Sequence, residues 1–489
     1  MSVRNEVILI TYADSLGGNM AELYDLLETY FRRTDGRRAI GGVHVLPFFP
    51  SSADRGFAPT RYDEVDPQLG SWADVKRLSG LYELTVDFMI NHISRRSPYF
   101  EDFLVQKDRS PYAEMFIRYK DFWPGGKPSE DDVARIYKRK PRAPEVEVVF
   151  ADGTAERLWC TFDEEQIDLD LRHEVTRQFV RDSLIGLAKR GVKIIRLDAF
   201  AYSIKKPGTS CFFVEPEVWE LLEWTRDLLA PLGVEILPEI HEGYSIQQKL
   251  AGLGYWVYDF ALPMLLLHTL YSGSNQRLLA WLRMCPRKQF TTLDTHDGIG
   301  VVDAVGLLSE TEIDRVRDRL FGQRGNIKQV YSTPSYNNLD IYQINCTYYS
   351  ALGADDDAYT LARAIQFFTP GIPQVYYVGL LAGENDIKLV EETKVGRDIN
   401  RHRYSSVEVA ENVARPVVQR LLSLMYFRSS YPAFSGGFEI GPTESEEELR
   451  LSWHLHNASA ELTANLRQHT FTVRYRDLQS GELRLLDGV

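Results

Sequence analysis

The chain has 489 residues, 44% of them hydrophobic, which is enough for a large core and too long for a single small one, so two or more domains are expected. Its net charge of −13 at pH 7 argues against nucleic acid or an anionic membrane as partner, and any anionic ligand must be held by a local basic patch. The N-terminal run VILITY is too short for a signal peptide or an anchor, and no later apolar stretch reaches spanning length without charges. The four cysteines, Cys160, Cys211, Cys285 and Cys346, lack zinc-type spacing and read as buried thiols of a reducing compartment. A cytoplasmic protein is expected.

In chain order, candidate strands fall at VILITY, GGVHVLPF, YELTVDFMI, KIIRLDAF, VEILPEI, GYWVYDF, QFTTLDTHD and IPQVYYVG. Helical segments lie between them, among them NMAELYDLLETYFRR and EPEVWELLEWTRDLLAPLG. In VTRQFVRDSLIGLAKRG, Phe179, Val180, Leu184, Leu187 and Ala188 form one apolar face, with Gly191 as C-cap. Eight strands with helical crossovers fit a parallel (β/α)8 TIM barrel better than an open sheet. The barrel is expected to comprise residues 1–90, 166–298 and 354–433. Two interruptions are too long for ordinary loops: 91–165 after the third strand, and the loop-rich 299–353 after the seventh. In such a barrel, strand-to-helix insertions sit on the C-terminal face, where active sites are built. Alternation of Leu449, Leu451, Trp453 and Leu455 with polar residues, followed by TFTVRYRD and GELRLLDG, predicts a small antiparallel β domain over 434–489.

The strand GVKIIRLDAF finishes on Arg196 and Asp198, although a buried charge is costly unless paired. Two further strands are expected to end in an acid, the fifth closed by Glu239 in ILPEIH and the seventh by Asp297 in LDTHD. Each acid taken alone also fits a helix N-cap or a structural ion pair. Three converging on one barrel mouth suit glycoside chemistry, in which one carboxylate attacks the anomeric carbon and another protonates the leaving oxygen. A third can stabilise the positive charge of the transition state.

The segments VDFMINH, GVKIIRLDAF, ILPEIH and LDTHDGIG resemble, in order and spacing, the four short motifs of the α-amylase superfamily. GTSCFF, YDFALP, INCTYYSALG, PGIPQVYYVGLLAG and GRDINRH resemble its sucrose phosphorylase branch, and the resemblance covers nearly the whole chain. It implies Asp198 as the nucleophile forming a β-glucosyl-enzyme, Glu239 as general acid and then base, and Asp297 as stabiliser of the oxocarbenium-like state. It implies that Arg196 pairs with Asp198, holding it ionised. Asp54, His92, His296 and Arg397 would bind hydroxyls of the glucosyl ring, and Phe57 would wall it. His92 also reads as a core histidine, and Arg397 as a structural ion pair. His241 (with Glu242 and Tyr244) would line the acceptor side, while Tyr202 would face either subsite. Asn91 stands where many amylases bind calcium, but the surrounding insertion lacks acidic partners, so no metal is expected.

What attacks the glucosyl-enzyme separates a phosphorylase from a hydrolase. A phosphate dianion beside carboxylates needs local positive charge and exclusion of water. Two loops offer residues for this: RIYKRKPRAP, with Tyr137, Lys138, Arg139, Lys140 and Arg142, and NNLDIYQINCTYY, with Leu339, Asp340, Tyr342 and Gln343. In the resembling family these loops rearrange, and a tyrosine and an arginine contact phosphate. Tyr342 matches that tyrosine. Lys140 aligns with the arginine, with Arg139 and Arg142 adjacent. The same KRKPR stretch also reads as a solvated basic loop. Its surplus of cations favours a phosphorylated leaving group. The expected activity is a retaining glycoside phosphorylase, a hexosyltransferase cleaving sucrose 6F-phosphate or sucrose with inorganic phosphate. Its products would be α-glucose 1-phosphate and fructose 6-phosphate or fructose. Alternatives are a glucosylglycerol or glucosylglycerate phosphorylase, or an α-glucoside hydrolase or transglucosidase of the same fold. Sugar or sugar phosphate and phosphate are the expected partners, with no cofactor; the oligomeric state stays open, a homodimer included.

Overall fold

The computed structural model describes residues 3–139, 142–323, 325 and 343–489. Eight strands form one parallel sheet: β1 (Ile8–Thr11), β2 (Gly42–Val45), β3 (Glu83–Met89), β4 (Val192–Asp198), β5 (Glu235–Pro238), β6 (Val257–Asp259), β7 (Gln289–Thr292) and β8 (Ile372–Tyr376). Their hydrogen-bonded order is β6-β7-β8-β1-β2-β3-β4-β5, so each strand pairs with its neighbours in sequence except β5 with β6, and β8 returns to β1. Among the described residues no ladder joins β5 to β6, which leaves a nearly closed (β/α)8 barrel. All eight expected strands are present. Their apolar runs are continuous because both faces are covered, by barrel interior on one side and helices on the other. The helix Glu174–Lys189 buries Phe179, Val180, Leu184 and Leu187. It ends where Gly191 takes φ +90°, and a Cβ there would strike the Ser79 side chain.

Register places the charges. In the β3–β4 ladder Asp87 lies opposite Arg196, and Met89 opposite Asp198. The chain after β3 forms the strand His92–Ser94, which pairs antiparallel with Gln166–Asp168 and closes the base of the first insertion. Between them lie a hairpin, Glu145–Val149 with Ala155–Trp159, and a separate aromatic core of Tyr119, Phe122, Trp123 and Trp159. After β7, Ile299–Gly300 pairs with Gln343–Ile344.

The C-terminal sheet is an antiparallel meander of β9 (Gly437–Ile440), β10 (Glu448–Leu455), β11 (Ala458–Asn465), β12 (Thr470–Arg476) and β13 (Leu483–Leu485). Leu449, Leu451 and Trp453 are buried and Leu455 half-buried, so the alternation read from sequence marks the inner face. The Trp453 indole donates to the Phe368 carbonyl at 2.8 Å, tying this sheet to the barrel. Among the described residues no helix is long and apolar enough to cross a membrane.

Candidate active site

Arg196 answers the cost of its own burial. Its Nη1 donates to Asp198 Oδ1 at 2.9 Å and to Asp87 Oδ1, and its Nη2 lies 2.8 Å from Glu239 Oε1. Asp87 is held from the other side by His44 Nε2 at 2.8 Å. A planar guanidinium with several donors suits this task, because one point charge could not orient three carboxylates at once. Asp198 is the last residue of β4, and Glu239 follows β5 directly. Ala199, next to Asp198, is forced into the left-handed region at φ +51°, which aims its amide N–H at Glu239 Oε2, 2.9 Å away. Such a turn costs a non-glycine residue about 1 kcal/mol or more, a strain that the surrounding structure must hold. Asp297 lies in the loop beyond Thr292, the end of β7, and so does not close that strand as its sequence suggested. The physical reason is that the chain leaves the ladder early: Thr292 Oγ1 turns to the Asp294 carbonyl, and Asp294 pairs with the buried Arg363.

These three acids line one cavity of about 580 Å³, within the range of small-molecule sites. Asp54, Phe57, His92, Arg139, His241, His296, Gln343 and Arg397 line it as well. Arg397 Nη1 stands 3.2 Å from Asp297 Oδ1 and 3.9 Å from Asp54 Oδ2. Phe57 stacks on His296 at 4.9 Å with the rings 6° from parallel. His92 Nε2 lies 2.9 Å from the Phe57 carbonyl.

The ionisation pattern follows from these contacts. Burial opposes charge on Asp297, yet Arg397 and the neighbouring histidines hold its carboxyl well below the usual range. Burial pushes His296 down to about 3 and lowers His92, so both are neutral hydrogen-bonding groups at pH 7. His241 behaves oppositely: burial alone would lower it, but Asp303 and Glu239 push it up to about 10. Asp198 and Glu239 titrate as a pair. Burial and the Glu239 charge push Asp198 up, while Arg196 and His241 hold Glu239 down against its own burial.

The proposed acceptor loops are only partly described. Lys140, Leu339, Asp340 and Tyr342 lie outside the described residues. Gln343 accepts from the Gly298 amide at 3.4 Å. Tyr137 packs on Phe212 at 4.5 Å and, with Lys138, Arg139 and Arg142, borders a small neighbouring crevice. Arg142 pairs with Glu164 on the exposed side, and of the described basic residues in that stretch Arg139 alone lines the main cavity.

Several participants were not singled out by the sequence, although Arg401, Phe212 and Asn345 lie within the motifs GRDINRH, GTSCFF and INCTYYSALG. Gln166 donates to the Phe57 carbonyl at 2.9 Å, and Arg401 donates twice to the His296 carbonyl at 3.1 and 3.0 Å. Phe162, Phe212, Asn345 and Lys394 also reach the cavity. Beside Asn91, the Lys205 ammonium pairs with Asp168 at 2.6 Å and donates to Asn91 Oδ1. The residues at the amylase calcium position therefore enclose a cation of their own and do not fit a calcium ion, which takes six to eight oxygens. Glu239, His241 and Asp297 have donor atoms within 4.8 Å of one another. Both His241 nitrogens face carboxylates, however, leaving no lone pair for a metal.

Residues 38–215 match the model of the α-amylase catalytic domain. The chain is 54% identical to the sucrose phosphorylase of Streptococcus mutans, over 98% of this chain and 99% of that protein. It is 44% identical to the glucosylglycerol phosphorylase of Marinobacter adhaerens over the full length of both. The crystal structure of sucrose 6F-phosphate phosphorylase from Thermoanaerobacter thermosaccharolyticum superposes with a TM-score of 0.94 at 46% identity, covering 99% of each chain. With likeness of this extent in both sequence and fold, the chain belongs to the α-amylase family and, within it, to the sucrose phosphorylase branch.

Proposed function

We propose that the protein is a retaining glycoside phosphorylase that transfers the glucosyl unit of sucrose to inorganic phosphate, giving α-glucose 1-phosphate and fructose. The observation that carries this reading is the sharing of one guanidinium by Asp198 and Glu239. Such a grip holds the two carboxylates on neighbouring nitrogens of one group, which suits double displacement, whose carboxylates stand about 5–5.5 Å apart.

For the attack the one proton of the Asp198–Glu239 pair sits on Glu239: ionised Asp198 attacks the anomeric carbon as that carbon's bond to the leaving oxygen breaks, and the proton passes from Glu239 to that oxygen. Asp297, kept ionised by Arg397, faces the positive charge developing on the ring. A phosphate oxygen then attacks the same carbon, its proton passes to Glu239, and the electron pair of the broken ester returns to Asp198. Two inversions retain the α configuration. Asp54, Arg397, His92 and His296 hold sugar hydroxyls, and Phe57 packs on the ring.

Fructose is placed ahead of fructose 6-phosphate because, among the described residues of the basic loop, Arg139 lines the cavity whereas Arg142 is engaged by Glu164. The higher identity to the S. mutans sucrose phosphorylase agrees with this order. A cytoplasmic setting belongs to the same reading, supported by four buried thiols. Incubation with sucrose, with and without phosphate, tests the proposal. Phosphate-dependent glucose 1-phosphate is expected, and release of free glucose alone would refute it. In the reverse direction, fructose should be preferred over fructose 6-phosphate, glycerol and glycerate as acceptor.

A further inference from the structure

His241 is clamped by carboxylates on both edges. Its Nδ1 lies 3.1 Å from Asp303 Oδ2 and its Nε2 3.4 Å from Glu239 Oε1. Phe260 fixes the plane of the ring, stacked at 4.1 Å and 17°. Asp303 sits in the short 3-10 turn Val302–Ala304 and is 3% exposed, with Oδ1 lacking a hydrogen-bond partner among the described residues. A buried carboxylate needs a cation, and among the described residues His241 is the one within 4 Å. The fold makes room for this contact: a Cβ on Gly300 would overlap Asp303 Oδ2.

We propose that Asp303 is a positioning residue for the second half-reaction, fixing His241 as an imidazolium against Glu239 so that the acid/base is ionised when phosphate attacks. The inference rests on the phosphorylase reading above. In that step a phosphate oxygen bonds to the anomeric carbon, the bond from that carbon to Asp198 breaks, and the phosphate proton goes to the Glu239 carboxylate. A cation at Glu239 favours this direction of transfer and opposes the acid role of the first half.

The charged groups around the ring are consistent with it. Asp303 and Glu239 touch it, Asp297 faces it from the β7 loop, Arg196 stands beyond Glu239, and Asp259 at the end of β6 is near enough to Asp303 for the two charges to repel. The pKa of about 10 for His241 keeps the ring charged across the neutral range.

The test uses α-glucosyl fluoride, whose leaving group departs without a proton, so the first half-reaction does not depend on Glu239 as an acid. In Asp303→Asn, single-turnover fluoride release should stay within about twofold of wild type. Glucose 1-phosphate formation at saturating phosphate should fall about tenfold on the acid side of its pH profile, with the acid limb raised by about one unit. His241→Gln should move the same limb in the same direction. Equal losses in both half-reactions with an unmoved limb would overturn the proposal, since they indicate a structural role only. Histidine-labelled NMR of the wild-type protein, assigned with His241→Gln, gives an answer even where a variant does not fold. His241 should carry protons on both nitrogens at pH 8, and a neutral ring there would overturn the proposal. Wild-type protein releasing glucose and no glucose 1-phosphate would refute the phosphorylase reading instead, leaving the NMR result to judge the Asp303–His241 contact.

Discussion

Replacing Lys205 with methionine removes a buried cation while keeping most of the side-chain volume. The Lys205 and Asp168 side chains are 2% and 0% exposed, and they pair at 2.6 Å. Breaking such a pair from one side costs about 3–5 kcal/mol, because the remaining charge stays buried. Asp168 keeps three hydrogen bonds, from the Thr161 amide at 2.8 Å, the Thr161 hydroxyl at 2.6 Å and Asn91 Nδ2 at 3.1 Å, so the lower end, about 3 kcal/mol, is expected. Asp168→Asn strands the ammonium instead and should cost a similar amount. The double variant removes both charges and should cost markedly less than the sum of the singles. Urea unfolding of the four proteins measures this coupling. Single losses below about 1 kcal/mol that simply add would refute the view that this pair replaces a metal as the internal cation. Millimolar calcium should leave the wild-type midpoint unchanged, and a rise would contradict the same reasoning. Because Asp168 lies opposite His92 in the insertion ladder, Lys205→Met should also raise the KM for sucrose.

Arg196→Lys keeps the charge but loses the fork that spans Asp198 and Glu239; kcat should fall about a hundredfold or more with the fold intact, measured by steady-state phosphorolysis and circular dichroism. The folded-state pKa of His241 is raised from 6.5 to about 10, so its contribution to stability is fully present below about pH 6.5 and is lost as pH rises through about 10. Unfolding midpoints should therefore decline over that window in wild type and more weakly in His241→Gln; equal declines would contradict the assignment. Gly300→Ala should displace the Asp303 carboxylate and reproduce the rate loss of Asp303→Asn, and a wild-type rate would show that the close approach is not needed.

The barrel was legible because parallel strands covered on both faces leave unbroken apolar runs, and those runs ended on charges that have no place in a core. Asp198, Glu239 and Arg196 could be found this way, as each stands at or near a strand end in a motif of recognisable order. Asp303, Lys205 and Gln166 could not. Each acts through a partner far along the chain: Asp303 through His241, Lys205 through Asp168, Gln166 through the Phe57 carbonyl. Nothing local in GVVDA or SIKKPG distinguishes a buried ion-pair partner from a solvated charge. The basic stretch around Arg139 was legible only as a count of cations. Composition suggested a cluster acting on one ligand, whereas the backbone sends Arg139 toward the cavity and Arg142 toward Glu164. Spacing counts charges, but only the loop path says which way they face.

Mass analysis of the covalent intermediate tests the central claim most directly. Glu239→Gln protein, mixed with α-glucosyl fluoride, quenched in acid and digested, should carry one glucosyl unit on the peptide containing Asp198, and phosphate should remove it slowly. A glucosyl unit on another residue, or consumption of the fluoride with inverted product and no adduct, would contradict it.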